Sequence, residues 1–381
     1  MLHFTREEFE SRRARVRAEM EARDLDAMLL FAPESHFWTT GYDTFGYCFF
    51  QCLLIDGDGE VLLTRSADLR QAELTSTLDD VRVWKDGAGV DPSADLKALL
   101  EERGLKGKRL GFEDDTAGLT AKNFRLIEAR LDGFTPLIPA SDLIEKLRLI
   151  KSPAEIAHVR KAGEITDACY LKALDVIGPG ADEGAILAAQ QGEVFAMGGD
   201  YAGNEFIIGS GEHALLCRYY SGRRRLDAND QITLEWAGAY AHYHVAAMRT
   251  VVVGTPRPEH ISMHAAAKDA LLACEAALKP GDPMSEVFDA HATTLDRAGF
   301  GAARLNACGY SLGAKYSPCW MDTDMFYEGA PQIMAPGMVF FLHMILMDSD
   351  TGAAMTLGRT SLITEGGAEP LSKLSLELPR R

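Results

Sequence analysis

No stretch of this chain comes near 18 uninterrupted apolar residues, so a membrane-spanning helix is not expected. The opening segment, residues 1 to 24, is charged throughout and lacks a short apolar core ending in small residues, so a secretory leader is not expected either. Basic side chains are in deficit: 39 Lys and Arg stand against 56 Asp and Glu, a formal charge of -17. That balance cannot offset phosphate repulsion, which argues against a nucleic-acid partner and leaves a cationic or zwitterionic small molecule easier to accommodate. The cysteines (48, 52, 169, 217, 274, 308 and 319) are odd in number and have no paired metal-ligand spacing. Reduced thiols in a cytoplasmic protein are the natural expectation.

What is present is patterned for two domains, each long enough to bury its own core within 381 residues. Thr5 and Glu8 have capping-box spacing, and Phe9, Val16 and Met20 then recur on one helical face. Short apolar runs follow at Ala27 to Phe31 and Cys52 to Ile55, with Gly57-Asp58-Gly59 as a hairpin turn into Val61 to Thr64. Strands alternate with helices such as Ser93 to Arg103 until about residue 145, an α/β arrangement. A boundary is then predicted between residues 146 and 147. In Lys146-Leu-Arg-Leu-Ile-Lys-Ser-Pro-Ala-Glu155, Ser152 can cap, Pro153 suits the first helical position and Glu155 completes a capping box. Ile156, Val159, Ala162, Ile165 and Cys169 continue the apolar stripe of a long helix.

Residues 147–381 carry a faint duplication. Pro179-Gly180, Ile186-Leu187 and Gly198 recur 101 residues later as Pro280-Gly281, Val287-Phe288 and Gly299. The strand pattern Gln231 to Glu235 recurs 108 residues on as Val339 to His343, so two similar α/β halves are predicted, with Glu235 and His343 as symmetry mates meeting near the centre of a shared sheet. Strand alternation puts His242, His244, Ala246 and Met248 on one face. A carboxylate following the apolar Ile232 to Leu234 has the surroundings of a raised pKa, suited to acid/base work or direct attack on an electron-poor carbon.

The segments Leu147 to Ile156, Tyr243 to Gly254, Gly309-Tyr-Ser-Leu-Gly313, Ala335-Pro-Gly-Met-Val339 and Thr360 to Gly366 resemble the pita-bread superfamily of creatinase, prolidase and aminopeptidase P. Phe37-Trp-Thr-Thr-Gly-Tyr-Asp43 is similar to the N-terminal domain of the creatinase and prolidase type. The resemblance implies an N-terminal α/β domain over residues 1–146, a C-terminal pita-bread domain over 147–381, and a homodimer in which the N-terminal domain covers the partner's site. Metal-dependent members bridge two divalent ions with Asp, Asp, His, Glu and Glu, since hard cations need several anionic oxygens. By resemblance those positions here read Glu235, Ala246, Tyr310, His343 and Gly358. Only one carboxylate is left among them, so no metal and no other cofactor is expected. Leu234-Glu235-Trp-Ala-Gly238, Tyr243-His244, Met248-Arg249-Thr250 and Gly309-Tyr310-Ser311 look most like the ectoine-hydrolase branch. Ser317-Pro-Cys-Trp-Met-Asp-Thr-Asp324 and His343 depart from that branch, which leaves the substrate open.

The resemblance implies catalytic roles for Glu235, with His244 or His343 as proton relay near neutral pH. Arg218 stands where prolidase-like enzymes carry a substrate-contacting His, and its guanidinium would offer a paired-donor fork to a substrate carboxylate. Arg223-Arg224-Arg225 reads as surface charge. Tyr42, Phe45, Trp236, Tyr310, Trp320 and Asp322 complete the expected substrate-contacting set, the aromatic faces suiting a delocalised cation. Metal-independent hydrolysis of a C–N bond in a small zwitterion is the activity these residues imply. A metal-dependent Xaa-Pro dipeptidase or lyase of the same fold, and a non-catalytic solute- or protein-binding descendant, are the alternatives.

Overall fold

The Thr5 hydroxyl accepts the Glu8 N–H at the start of α1 (Arg6–Ala22), whose inner face buries Phe9, Val16 and Met20. The computed structural model describes residues 2–220 and 222–381 and divides the chain into two units, Met1–Arg148 and Leu149–Arg381. In the first unit α1 is followed by β1 (Ala27–Leu30), α2 (Pro33–Thr40), β2 (Cys52–Asp56), β3 (Gly59–Arg65), α3 (Leu69–Thr75), β4 (Val81–Trp84), α4 (Pro92–Glu102), β5 (Leu110–Phe112), α5 (Ala121–Leu131), β6 (Leu137–Pro139) and α6 (Ser141–Leu149). The position between residues 146 and 147 falls inside α6. The strands form one sheet in the order β4-β3-β2-β1-β5-β6, with apolar layers on both faces. At the β2–β3 hairpin, Asp56 Oδ1 accepts the N–H groups of Asp58 and Gly59, closing the two-residue loop.

Tyr42 departs from the expectation that it lines a substrate cavity. Gly41, at φ 86, ends α2 in the left-handed region and turns the chain inward. Tyr42 is then 1% exposed, its hydroxyl 3.1 Å from Gln51 Nε2 and 3.4 Å from Thr64 Oγ1, and its ring stacks on His36. It is a core residue of the first unit. Phe45, by contrast, stands 80% exposed on that unit's surface.

The second unit comprises α7 (Pro153–Val176), α8 (Glu183–Ala196), β7 (Ile207–Ser210), β8 (Asp230–Tyr240), β9 (Tyr243–Val253), α9 (Pro258–Ala277), α10 (Ser285–Arg297), β10 (Gly309–Leu312), β11 (Met321–Met325), β12 (Val339–Asp348), β13 (Ala353–Thr364) and β14 (Gly367–Pro370). Both bonds of the Ser152–Glu155 capping box start α7, and the other Glu155 oxygen accepts the Tyr243 hydroxyl at 2.7 Å, tying the helix to the first residue of β9. The sheet order β11-β10-β12-β13-β9-β8-β7 is nearly palindromic about the β13–β9 pair. Each half has two helices and a hairpin of long strands, as the duplication predicts; the first adds one shorter strand, β7, and the second adds β10, β11 and β14.

The symmetry mates do not meet. Glu235 pairs with Met248, Met248 with Gly358, and Gly358 with His343, so one row of the sheet runs Glu235, Met248, Gly358, His343. Three strand spacings of about 4.8 Å each lie between its ends. Two further expectations change at the β8–β9 hairpin. His242 is not on a strand face: it occupies the turn with Ala241, at φ 63 and 48, and stacks on Tyr316 with ring centres 4.2 Å apart. Trp236 is turned away from Glu235, because adjacent strand residues point to opposite faces. Its indole N–H donates to the Thr166 carbonyl at 2.9 Å and its ring stacks on Tyr170, so it packs beneath α7 instead of contacting substrate. Among the described residues no helix is long and apolar enough to cross a membrane.

Candidate active site

On β12, Phe340, Leu342 and Met344 enter the core under α9 and α10, leaving Phe341 and His343 for the opposite face of the sheet. Tyr310 pairs with Phe341 across β10 and β12 and shares that face. Its ring lies 5.4 Å from that of Phe341 and 5.6 Å from that of His343. Its hydroxyl donates to Glu235 Oε1 at 3.3 Å, spanning the gap that the strand order leaves between the two halves. Trp320 donates its indole N–H to the Tyr310 oxygen at 2.9 Å, and its backbone N–H to Asn204 Oδ1 at 3.1 Å. Glu235, Tyr310, Trp320 and Asn204 therefore form one hydrogen-bonded chain.

His244 lies beside it, its ring 6.4 Å from that of Trp320. Its Nε2 accepts the Gly203 N–H at 2.9 Å and its Nδ1 is 3.4 Å from the Gly313 carbonyl, so the proton belongs on Nδ1 and backbone occupies both nitrogens. As placed, the ring clamps the 203 loop and has no lone pair left to relay a proton. Asp322, in the expected substrate-contacting set, is buried on β11.

Burial pushes the Glu235 carboxyl up to about 7, against the opposing pull of the Arg218 charge and the Tyr310 hydrogen bond. Burial and the Glu235 charge push the Tyr310 phenol well above its ordinary value. His343 and His244 are both held down to about 4, chiefly by burial, and are neutral at physiological pH. Among the described residues His343 Nδ1 is buried with no hydrogen-bond partner. Arg218 is exposed, and its charge reaches both Glu235 and His343.

Several supporting residues carried no signal in the sequence. Asn204 and Gly203 act through contacts far away in the chain. Half-buried Cys217 lies within electrostatic reach of Glu235, which together with burial pushes its thiol up. Arg224 is not the surface charge expected of the Arg223-Arg224-Arg225 run. It pairs with Asp230 and Asp227 and bonds Ser210, while buried Glu183 accepts its backbone N–H, so the chain is anchored at Arg224. Asp227 and Asp230, three and six residues away, were the available clue.

A two-ion centre does not fit these side chains. Ala246 offers no donor atom, and Tyr310 directs its proton at Glu235. A Cβ on Gly358 would lie 2.8 Å from Phe341 Cε2 and from the Leu342 carbonyl oxygen, so the Phe341 ring fills the space a ligand side chain would need. Among the described residues no group of three or more His, Cys, Asp or Glu is placed to hold a metal ion.

Residues 157–365 match the model of metallopeptidase family M24, and residues 12–150 match the creatinase/prolidase N-terminal domain. The chain belongs to family M24. A relative in this family, ectoine hydrolase from Halomonas elongata, is 29% identical over 399 residues, covering 99% of this chain and 98% of that protein. Xaa-Pro dipeptidase from Pyrococcus furiosus is 24% identical over 359 residues, covering 94% and 97%. Among solved structures, a prolidase from Thermococcus sibiricus superposes with a TM-score of 0.88 at 20% identity, covering 98% of this chain and 99% of that one. The pita-bread architecture of this M24 member is thereby established, with its hydrolase relatives placing it in an enzyme class and not on a particular substrate.

Proposed function

We propose that this M24 chain is a metal-independent hydrolase that cleaves a C–N bond in a small zwitterionic amidine, guanidine or cyclic amide, with ectoine or hydroxyectoine as the best substrate. The observation that carries this reading is Glu235, the one carboxylate left at the positions that resemblance assigns to metal ligands, hydrogen-bonded to Tyr310. The 29% identity to an ectoine hydrolase over nearly the whole of both chains supports the choice of substrate.

The carbon of an amidinium is already electron-poor, so it needs less Lewis-acid activation than a peptide carbonyl. Glu235 pairs with the amidinium, and the ionised carboxylate either takes a proton from water or attacks the carbon itself. Arg218 holds the substrate carboxylate by paired hydrogen bonds. His343, neutral and facing the same side, contacts the substrate. A homodimer, with exposed Phe45 of the N-terminal unit near the partner's site, is part of the same proposal.

The test is incubation of the protein with ectoine, hydroxyectoine, creatine and Xaa-Pro dipeptides, followed by mass spectrometry. Ectoine should give a product heavier by one water, and Glu235→Gln should lower turnover by about 10²–10⁴ with the fold retained. Cleavage of the dipeptides alone would favour the peptidase alternative. Near-full activity in Glu235→Gln would refute the assignment.

A further inference from the structure

Hydrolysis of an amidine needs two proton movements, one off the attacking water and one onto the departing nitrogen. With Glu235 serving the water, a second group that faces the same space is wanted. Backbone holds both nitrogens of His244. His343 is neutral and lacks the acidity of an imidazolium. The Cys217 thiol makes no hydrogen bond to Glu235 among the described residues.

Tyr310 differs from all three. Its strand β10 belongs to the opposite half of the sheet from β8, so the phenol and the carboxylate approach from different sides and meet at their tips, 3.3 Å apart. The indole N–H of Trp320 occupies one lone pair of the phenolic oxygen, which leaves the Tyr310 proton directed away from it, toward Glu235. That same N–H would stabilise the oxygen once it has lost its proton. A departing aliphatic amine and a phenol have similar unperturbed basicity, each with a pKa of about 10, and once Glu235 has taken the water proton its charge no longer adds to the burial that holds the Tyr310 phenol up.

We propose, on the basis of the hydrolase reading above, that Tyr310 is the catalytic acid that protonates the departing nitrogen, and that Trp320 is its positioning residue. Water adds to the amidinium carbon as one of its protons passes to the Glu235 carboxylate; the C–O bond forms and the π pair of the C=N bond moves to nitrogen. The C–N bond then breaks, its electron pair goes to nitrogen, and nitrogen takes the Tyr310 proton, while the new hydroxyl oxygen closes the C=O bond and its proton goes to the freed amine, which leaves as an ammonium group. The Glu235 carboxylic acid returns a proton to the Tyr310 oxygen across their existing hydrogen bond. Net, one water is consumed and both residues are restored.

The experiment uses the full chain with ectoine as probe, followed by proton NMR. Tyr310→Phe keeps the ring beside Phe341 and His343 and removes only the hydroxyl. It should lower kcat by about 100-fold or more, leave KM within about threefold, and reduce the solvent deuterium isotope effect on kcat. Trp320→Phe, with the phenol in place, should lower kcat by about tenfold with KM little changed. If the Tyr310 variant does not fold, the Trp320 variant decides, and an unaltered kcat overturns the proposal. Loss of turnover in Glu235→Gln alongside a Tyr310→Phe kcat within about threefold of wild type sinks Tyr310 and spares the hydrolase reading. A wild-type protein that leaves ectoine and creatine intact sinks both.

Discussion

Glu235 is enclosed by protein yet keeps a partly exposed side chain, and its carboxyl is pushed from 4.5 to about 7 mainly by burial. If the ionised form does the chemistry, kcat/KM for ectoine should rise about tenfold per pH unit below 7 and level off above it. A bound amidinium favours the carboxylate, so the same limb in kcat should lie at lower pH. Stability should move the other way. Between pH 4.5 and 7 the folded chain holds a proton at Glu235 that the unfolded chain has released, so folding stability falls as pH rises through that window and the full cost is reached above 7. Glu235→Gln removes this cost and should be more stable than wild type at pH 8 by up to about 3 kcal/mol, with no such gain below pH 4.5. Glu113, whose buried carboxyl is also raised to about 7, adds the same slope to both proteins and cancels in the difference. Urea denaturation of the two proteins at pH 4 and pH 8 measures it, and equal stability at pH 8 would mean that Glu235 is not held at raised pKa.

The strand that carries Glu235 is set by its contact with a helix. Three residues on, Gly238 of β8 runs so close to α7 that an added Cβ would sit 2.2 Å from the Ala162 carbonyl oxygen and 2.6 Å from the Thr166 backbone nitrogen. The Thr166 hydroxyl accepts the Gly238 N–H and donates to the Val245 carbonyl, stitching α7 to β8 and β9 together. Backbone atoms cannot swing aside as a side-chain tip can, so Gly238→Ala should destabilise the C-terminal unit by about 3 kcal/mol or more. A lowered urea midpoint at unchanged slope would report it, and a midpoint equal to wild type would show that the helix can retreat. At this scale the sequence is informative where the cause is local. The Ser152–Glu155 box, the Gly57-Asp58 turn and the repeated strand patterns are each written within a few residues, and each forms. The turn at Ala241 and His242 uses two non-glycine residues at positive φ, so nothing in the sequence marks it and His242 is misplaced onto a strand. Trp236 was legible in principle, since the alternation that puts Glu235 on one face puts its neighbour on the other. The links from Tyr310 to Glu235 and from Trp320 to Asn204 join residues 75 and 116 positions apart, beyond the reach of any local pattern.

Across the whole molecule, an M24 scaffold is kept while the positions that resemblance assigns to metal ligands hold groups of other chemistry. The distinction between lost ligands and a lost site matters, because deletion alone would leave room for a metal to return. Here the room itself is filled: the Phe341 ring lies where a Gly358 side chain would project, and the Tyr310 proton faces the one remaining carboxylate. Binding a divalent cation to Glu235 would require breaking that hydrogen bond and desolvating the ion with one charged oxygen donor group, where such ions are ordinarily held by several. Dialysis against a chelator should therefore leave ectoine turnover unchanged. Millimolar Mn²⁺, Co²⁺ or Zn²⁺ should neither raise turnover nor shift the melting temperature upward, since a ligand that stabilises the fold must bind it. The same should hold for Gly358→Glu, whose new carboxylate would have to displace Phe341 before reaching the Glu235 side of the sheet. Stoichiometric metal in the purified protein, with activity lost on chelation and restored by the ion, would return this chain to the metallopeptidases and remove the reason for assigning Glu235 and Tyr310 the work of the missing ions.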